Sequence, residues 1–593
     1  VRVKIAYLLL ISISLPGALL AQITPPLPVH PERDGNGVDL AGWRSMLEWS
    51  PITIGTPEQG GMYLTFYFEL GGGDRDNYTS DLTFVDPSAG TMQSVATIGA
   101  HTWVSAQGPN GSELGSSVAL SSDNTAEYQV RDGTIAEYYS IQSYPDVAAS
   151  PGTQMYFYAT SVRKPNGEIL TYHNKFNGWH DRIQSVASNR GYQIKFDYKS
   201  NSMADSDLSD WTTRVKATLI NRAYIYCNPD ADSCSIPSDW PSVSYQVTYS
   251  GNTYVHIYTN NLGEMYEINR NGLNYQVKTP GSSSYNMSYT YGMYSSPYYY
   301  GPFSVLSKII SVTKNGYTWN YSYNPETSSG QVTLSVVAPD NSTSQYYVNL
   351  GGSSDNFSWP PLIQWSKNGS GATSSYTYDS NNMILTSHMP EGNYDEVVYD
   401  QRGNATQNIA HSKLNSNSII SSALFPVSAT NVPQSCADAP LLICNKPIST
   451  TDTRGNVTNY TWSADHGGVL SEMEPSPASG VARPLKLYTY VQKSAYILNA
   501  AGVLVPTGQP VWLPATETEC QATVGSNTAS CDAAAPQKVT TYLYGADGTA
   551  DNLLIHGKQV SASGVSLLTC YGYDKWSRSI SKTAPRANLG SCP

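Results

Sequence analysis

The sequence predicts an all-β protein, an N-terminal β-rich domain followed by a long ribbon of β-hairpins. Three observations predict it. Asp400, Arg402, Gly403, Asn404 and Thr406 recur at identical spacing as Asp452, Arg454, Gly455, Asn456 and Thr458, and an internal repeat decides architecture before single residues do. Tyrosine is in excess, 45 residues against 9 Phe, which suits half-buried sheet positions with one apolar flank and a hydroxyl reaching outward. Helical periodicity is nearly absent, whereas short alternating runs separated by Gly, Asn, Ser and Pro are frequent.

Within the ribbon a glycine precedes two aromatics by five and seven positions: Gly191 with Phe196 and Tyr198, Gly316 with Tyr321 and Tyr323, Gly371 with Tyr376 and Tyr378, Gly455 with Tyr460 and Trp462. Glycine supplies the positive φ of a tight turn. Aromatics two apart then share one face of the following strand. An Asp directly after the last Tyr, as at Tyr378-Asp379, Tyr399-Asp400 and Tyr573-Asp574, falls on the opposite face at the strand end, where its carboxylate can accept hydrogen bonds from the next turn. Each unit reads turn, strand, turn. Arg402 and Arg454 are expected to brace Asp400 and Asp452.

In chain order, residues 1–21 read as a secretory signal peptide: Arg2 and Lys4 lead into an apolar stretch from Ile5 to Leu15, broken by Pro16 and ending at Ala21. Residues 22–41 form a proline-rich arm that cannot be helical. Residues 42–159 are expected to be a β-rich N-terminal domain, with a hairpin turning at Asp132-Gly133 as its clearest element. Residues 160–350 read as a degenerate repeat region and 351–593 as the clearest repeats, interrupted by cysteine-bearing insertions at 436–444 and 520–531 that should lie outside the ribbon. Near Asn271-Gly272 the strand is kept and the turn is expected to be lost. Repeats still run at Tyr573-Asp574 when the chain reaches Pro593, which is expected of a truncated or split product.

With these residues the sequence resembles the RHS or YD-repeat family, whose unit is a Tyr-Asp pair, a Gly-Asn turn and a strand ending in Tyr-x-Tyr. Recognisable units run from about Gly167 to Trp576. The resemblance implies that the ribbon spirals into part of an open, hollow shell, in relatives one that encases or delivers a toxin or mediates cell contact. It implies a C-terminal shell or toxin partner. The family's self-cleaving aspartate site has no matching motif here, so no catalytic residue is carried over.

The net charge of −12 with 13% charged residues argues against nucleic acid, which needs clustered Lys and Arg. After the signal no segment is long and apolar enough to span a bilayer. The eight cysteines fall into couples, Cys227 with Cys234, Cys436 with Cys444, Cys520 with Cys531 and Cys570 with Cys592. An even count behind an export signal favours disulfides and a secreted or cell-surface location, although sequence does not fix their connectivity. No zinc-ligand spacing, nucleophile elbow or phosphate-binding loop is present, so neither a cofactor nor a metal is expected. Asp205, Asp207 and Asp210, then Asp230 and Asp232, could face calcium, but turn chemistry is the stronger account. Trp43, Trp49, Trp103, Trp179, Trp319 and Trp365 could stack on sugar rings of cell-surface glycans, the adhesin alternative, although packing between strands is favoured. No pair of carboxylates stands out for a secreted glycosidase.

Overall fold

The computed structural model describes residues 33–70, 73–85, 93–98, 101–106, 117–120, 124–140, 154–178, 180–295, 305–324, 331–349, 362–380, 383–413, 418–426, 441–585 and 590–592. The protein is almost entirely antiparallel β-structure. A small sheet comes first: β1 (Leu47–Ile54) pairs with β2 (Met62–Glu69), which pairs with β3 (Gly73–Asp76). Alternation along β2 sends Met62, Leu64, Phe66 and Phe68 to one buried face.

From Ser80 onward the strands belong to one large sheet. Strand Gln154–Arg163 is its branch point, pairing with Ser80–Val85 along its first half and with Ile169–Asn177 along its second, while Ile135–Tyr139 lies along its other edge. The domain border expected between 159 and 160 falls inside this strand. The predicted hairpin is present: Thr125–Gln129 pairs with Ile135–Tyr139 across Gly133, and the Thr134 amide donates to Asp132 Oδ1 at 2.8 Å. From Ile169 the strands pair in succession as far as Ser579–Lys582, with one small hairpin, Tyr496–Leu498 with Leu504–Pro506, projecting between neighbours. Among the described residues no ladder joins the first strands to the last, so the sheet is open.

The ribbon nonetheless meets itself. The Asn189 side chain donates to the Gln509 carbonyl at 3.2 Å, Thr507 Oγ1 donates to the Asn189 carbonyl at 3.1 Å, and Asn445 Nδ2 donates to the Arg131 carbonyl at 3.1 Å. Asn221 reaches Asp551 at 2.7 Å, and Lys575 pairs with Asp239. These side-chain contacts join residues 314 to 336 apart, as expected when turns of one rung of a spiral rest on the next.

The last residues of the expected proline-rich arm, 33–41, are folded into the body of the protein. Val38 and Leu40 are fully buried, because Asp34 Oδ1 accepts the Asn36 and Val38 amides and Asp39 Oδ1 accepts those of Ala41 and Gly42, which folds residues 33–42 into tight turns. The lost turn near Asn271-Gly272 is also corrected. Asn271 pairs with Asn274 around Gly272, whose φ is +60°, a hairpin turn that Asn-Gly favours. The expected border near 350–351 and Cys436 lie outside the described residues.

Candidate functional site

The repeated units carry the chemistry of this chain, and the structure shows how each is held. At Asp400 the carboxylate Oδ1 accepts the amides of Arg402 at 2.9 Å and Asn404 at 2.8 Å, while Oδ2 accepts from Asn404 Nδ2 at 3.0 Å. Asp452 repeats this with Arg454 at 2.8 Å and Asn456 at 2.9 Å, and Asp574 with Trp576 and Arg578 at 3.0 Å. Asp379 accepts the Met383 amide at 2.8 Å. Three residues after the turn-opening Asp the backbone turns left-handed, at Gly403 (φ +75°) and Gly455 (φ +83°), where a Cβ is disfavoured; Ser577 holds that place after Asp574 at φ +59°. Gly191, Gly316 and Gly371 likewise have positive φ.

Arg402 is buried, meets Asp400 Oδ2 and donates to the carbonyls of Cys444 and Pro426 at 2.7 and 3.0 Å. Its repeat counterpart Arg454 is exposed.

The aromatic that closes each unit has a constant task. Tyr198, Tyr323, Tyr378 and Tyr399 donate their hydroxyls to the carbonyls of Ile183, Ile309, Ile363 and Ile384 at 2.7–2.8 Å, and Trp462 Nε1 donates to Pro447 at 2.8 Å. Tyr490, Tyr544 and Tyr573 do the same to Val469, Pro514 and Ile555. For all but Pro447 the accepting residue directly precedes a β-bulge, where the ladder skips Gln184, Ile310, Gln364, Leu385, Leu470, Ala515 or His556. A bulge leaves the ladder locally disrupted, and the tyrosine supplies a donor there.

The latches chain together: Trp462 pairs with Val469, whose carbonyl Tyr490 holds; Tyr490 pairs with Pro514, held by Tyr544; Tyr544 pairs with Ile555, held by Tyr573. Burial pushes the hydroxyls of Tyr399 and Tyr490 up to about 12, with Asp379 adding to the effect at Tyr399. For five of these eight latches the acceptor is an apolar residue or proline 14 or 15 positions before the closing aromatic, a signal that reading forward from each glycine misses; for Tyr490, Tyr544 and Tyr573 the separation is 21, 30 and 18.

A run of tyrosines on strands Ser242–Ser250, Thr253–Asn260 and Met265–Asn271 is covered by the small N-terminal sheet. Phe68 stacks on Tyr266 with centroids 4.6 Å apart, Trp49 stacks on Tyr266 at 5.6 Å, and Phe66 packs against Tyr258 and Tyr245. Three further hydroxyls are satisfied by the N-terminal residues: Tyr289 donates to the Asn36 carbonyl at 2.8 Å, Tyr291 to Ser45 Oγ at 3.1 Å, and Tyr321 to Asp34. Burying each Phe of this cap stabilises by about 2–3 kcal/mol. The cap also touches the end of the chain, where the Gly55 amide donates to the Trp576 carbonyl at 2.9 Å and the Ile555 amide to Gln59 Oε1 at 3.0 Å.

Asp551 gathers several bonds at the seam between rungs. Its Oδ1 accepts from Asn221 Nδ2 at 2.7 Å and Ser577 Oγ at 2.8 Å, and its Oδ2 from the Tyr224 hydroxyl at 2.7 Å. Asp551 and Ser577 both take left-handed backbone at φ +59°, a cost of about 1–3 kcal/mol each that surrounding bonds must offset. A narrow cleft beside them is lined by Gln59, Arg190, Tyr192, Asn221 and Leu553.

Other candidates are spent on packing. Asp210 pairs with Lys199, Asp230 with His173, and Asp232 with both Lys175 and Arg182; among the described residues no cluster of three or more His, Cys, Asp or Glu could hold a metal. Trp43 lies edge-on to Tyr323, Trp49 stacks within the cap and Trp365 stacks on Tyr347. Trp319 is half-buried, while Trp179 and the Trp103 side chain lie outside the described residues. Cys227 is bonded to Cys234, Cys520 to Cys531 and Cys570 to Cys592, and Cys444 is also disulfide-bonded.

No protein-family model matches the sequence, and neither does any curated protein. Among solved structures, the Photorhabdus luminescens Tc holotoxin pore is 11% identical, with 90% of this chain and 27% of that one covered at a TM-score of 0.26. TcdB2-TccC3 without its hypervariable C-terminal region is 10% identical, with 88% and 27% covered at 0.23. A porin-like protein from Bacteroides uniformis is 10% identical over 49% of this chain and 90% of that one, at 0.13. The chain spans about a quarter of the length of the two toxin chains. Scores this low carry no argument, and the architecture rests on the ladders themselves.

Proposed function

We propose that this chain is a secreted, non-enzymatic structural protein of the RHS or YD-repeat kind, a section of shell wall that encloses a polypeptide cargo such as a toxin, or presents a surface to other cells. The observation that carries this reading is the set of seven tyrosine latches, each seated at a β-bulge of a single sheet whose distant rungs touch. Bulges increase local twist and bend a strand. A sheet bent this way can enclose space without a second layer behind it. The wall is closed in this reading by a C-terminal shell or toxin partner.

Three disulfides fit an extracellular or periplasmic compartment. Among the described residues no helix is long and apolar enough to cross a membrane. Single-particle electron microscopy of the purified chain tests the reading: a thin wall curling around an enclosed space supports it, whereas a solid compact particle overturns it.

One observation favours the adhesin alternative. Tyr249 and Tyr254 form an exposed edge-to-face pair 5.1 Å apart, Tyr249 being 70% accessible, and exposed aromatic faces can stack on sugar rings. Glycan-array binding that is lost in Tyr249→Ala would support it, and silence across the array would remove it.

A further inference from the structure

Residues 222–241 leave the ribbon after strand Arg214–Asn221 and rejoin it at strand Ser242–Ser250, with the Cys227–Cys234 disulfide stapling the excursion. The excursion lies over strands Ile169–Asn177, His180–Ser188 and Tyr192–Tyr198. Ser185 Oγ donates to the Pro229 carbonyl at 2.8 Å, Gln184 Nε2 to the Asp232 carbonyl at 3.2 Å, and Gln193 Nε2 reaches Cys227 Sγ at 3.7 Å. Asp232 takes Lys175 at 2.6 Å and Arg182 at 2.7 Å, and Asp230 meets His173 at 2.8 Å.

What lies beneath is unusual for a sheet. Lys195 is fully buried, and its Nζ donates to the carbonyls of Gln184 and Phe196 at 3.1 and 3.0 Å; among the described residues no carboxylate forms an ion pair with it. Burial pushes its amine down to about 8, against the opposing pull of Asp197. Gln184 Oε1, Gln193 Oε1, Thr218 Oγ1 and Arg182 Nε are buried without a hydrogen-bond partner among the described residues. Each such atom costs free energy, and a buried ammonium held directly only by carbonyls costs more. The closed excursion is therefore poorly compensated on its underside, and the staple offsets this by restricting the open ensemble. Cys227 is buried whereas Cys234 is half-buried, which leaves Cys234 as the sulfur that solvent reaches.

We infer that the stapled loop of this excursion, residues 227–234, forms a redox-released lid, opened by an external dithiol acting on Cys227–Cys234, and that opening exposes the Lys195 amine to modification by electrophiles. The inference does not depend on whether the ribbon encloses a cargo. One thiolate of the dithiol attacks Cys234 Sγ, the S–S bond breaks, and the electron pair leaves on Cys227, which takes up a proton. The second thiol then displaces Cys234 and closes the reductant's own disulfide. Two electrons and two protons pass from dithiol to protein.

The test is acetylation of the full chain by acetic anhydride, quantified at Lys195 by mass spectrometry, with exposed Lys367 and buried Lys308 as references. The expected result is a rise of at least about tenfold at Lys195 in Cys227→Ser/Cys234→Ser, with both references unchanged, the contrast expected when a buried site is gated by a local opening. Protection of Lys195 equal to that of the oxidised protein overturns the lid. Should the double variant fold poorly, graded dithiothreitol on the wild type replaces it, with alkylation of Cys227 and Cys234 followed in parallel. Labelling of Lys195 that tracks alkylation while Lys308 stays protected supports the proposal; Lys195 still protected once both cysteines are alkylated, or Lys308 rising together with it, overturns it.

Discussion

The Tyr399 hydroxyl donates to the Ile384 carbonyl at 2.8 Å, and Ile384 is the residue that pairs across the ladder with Tyr378, the closing tyrosine of the preceding unit. One bond thus ties three strands. It holds the ladder where Leu385 is skipped, and its repetition at seven bulges makes the bend a property of the sequence repeat.

Tyr399→Phe keeps the ring and removes the donor, leaving a carbonyl on the buried Ile384 without its partner. The expected loss is about 1–2 kcal/mol. Because neighbouring units are held by their own latches, the effect should be local. Amide exchange across 384–399 should accelerate while that across Tyr192–Tyr198 does not change.

The two copies of the repeated turn should respond unequally to loss of their aspartates. Asp400 and Arg402 are both buried and paired, so Asp400→Ala strands a buried guanidinium at a cost of about 3 kcal/mol. Asp452 is exposed, held below the usual carboxylate range by hydrogen bonds from the Asn456 side chain and backbone, and Asp452→Ala should cost clearly less. Urea midpoints of the two variants measured together give the order.

Alkali should unfold the ribbon through its latches. Burial raises the hydroxyls of Tyr399 and Tyr490 to about 12 and those of Tyr378 and Tyr544 further. A folded-state pKa above the unfolded value of about 10 means the stabilisation is complete below pH 10 and is lost as pH rises toward 12. Tyrosinate absorbance should therefore lag behind that of free tyrosine and then rise together with loss of the β-sheet circular dichroism signal. A smooth titration near pH 10 with the sheet intact would contradict buried latches.

Contact between rungs is an energetic statement as well as a geometric one. Asn221 and Asp551 are 330 residues apart and 2.7 Å from each other. A double-mutant cycle with Asn221→Ala and Asp551→Ala should return a coupling of about 1–2 kcal/mol, whereas residues on unconnected segments would return a value near zero.

The sequence disclosed what local residues encode and hid what distance encodes. The Asp400 and Asp452 turns were legible because the carboxylate, the left-handed glycine and the amides it binds lie within five residues. The shared face of Tyr376 and Tyr378 followed from period two alone. The Ile384 acceptor lies 15 residues before Tyr399, but other latches span 14 to 30 residues, and nothing local marks a carbonyl that a bulge has freed. The burial of Val38 and Leu40 and the pairing of Asn221 with Asp551 depend on which surfaces the curled ribbon brings together, and a proline-rich prefix or a lone Asn carries no trace of that. The branch at Gln154–Arg163 was hidden for the same reason: the strand is recognisable, but its three partners are not.

The central claim is that latched hairpins coil until residues one rung apart touch, and the distance between residues 189 and 509 measures it most directly. Spin labels on cysteines introduced at these two positions should give a single short, narrow distance distribution, because the Asn189 side chain meets the Gln509 carbonyl at 3.2 Å. A broad distribution centred at long distance would show that the ribbon does not return on itself, and the account would fail.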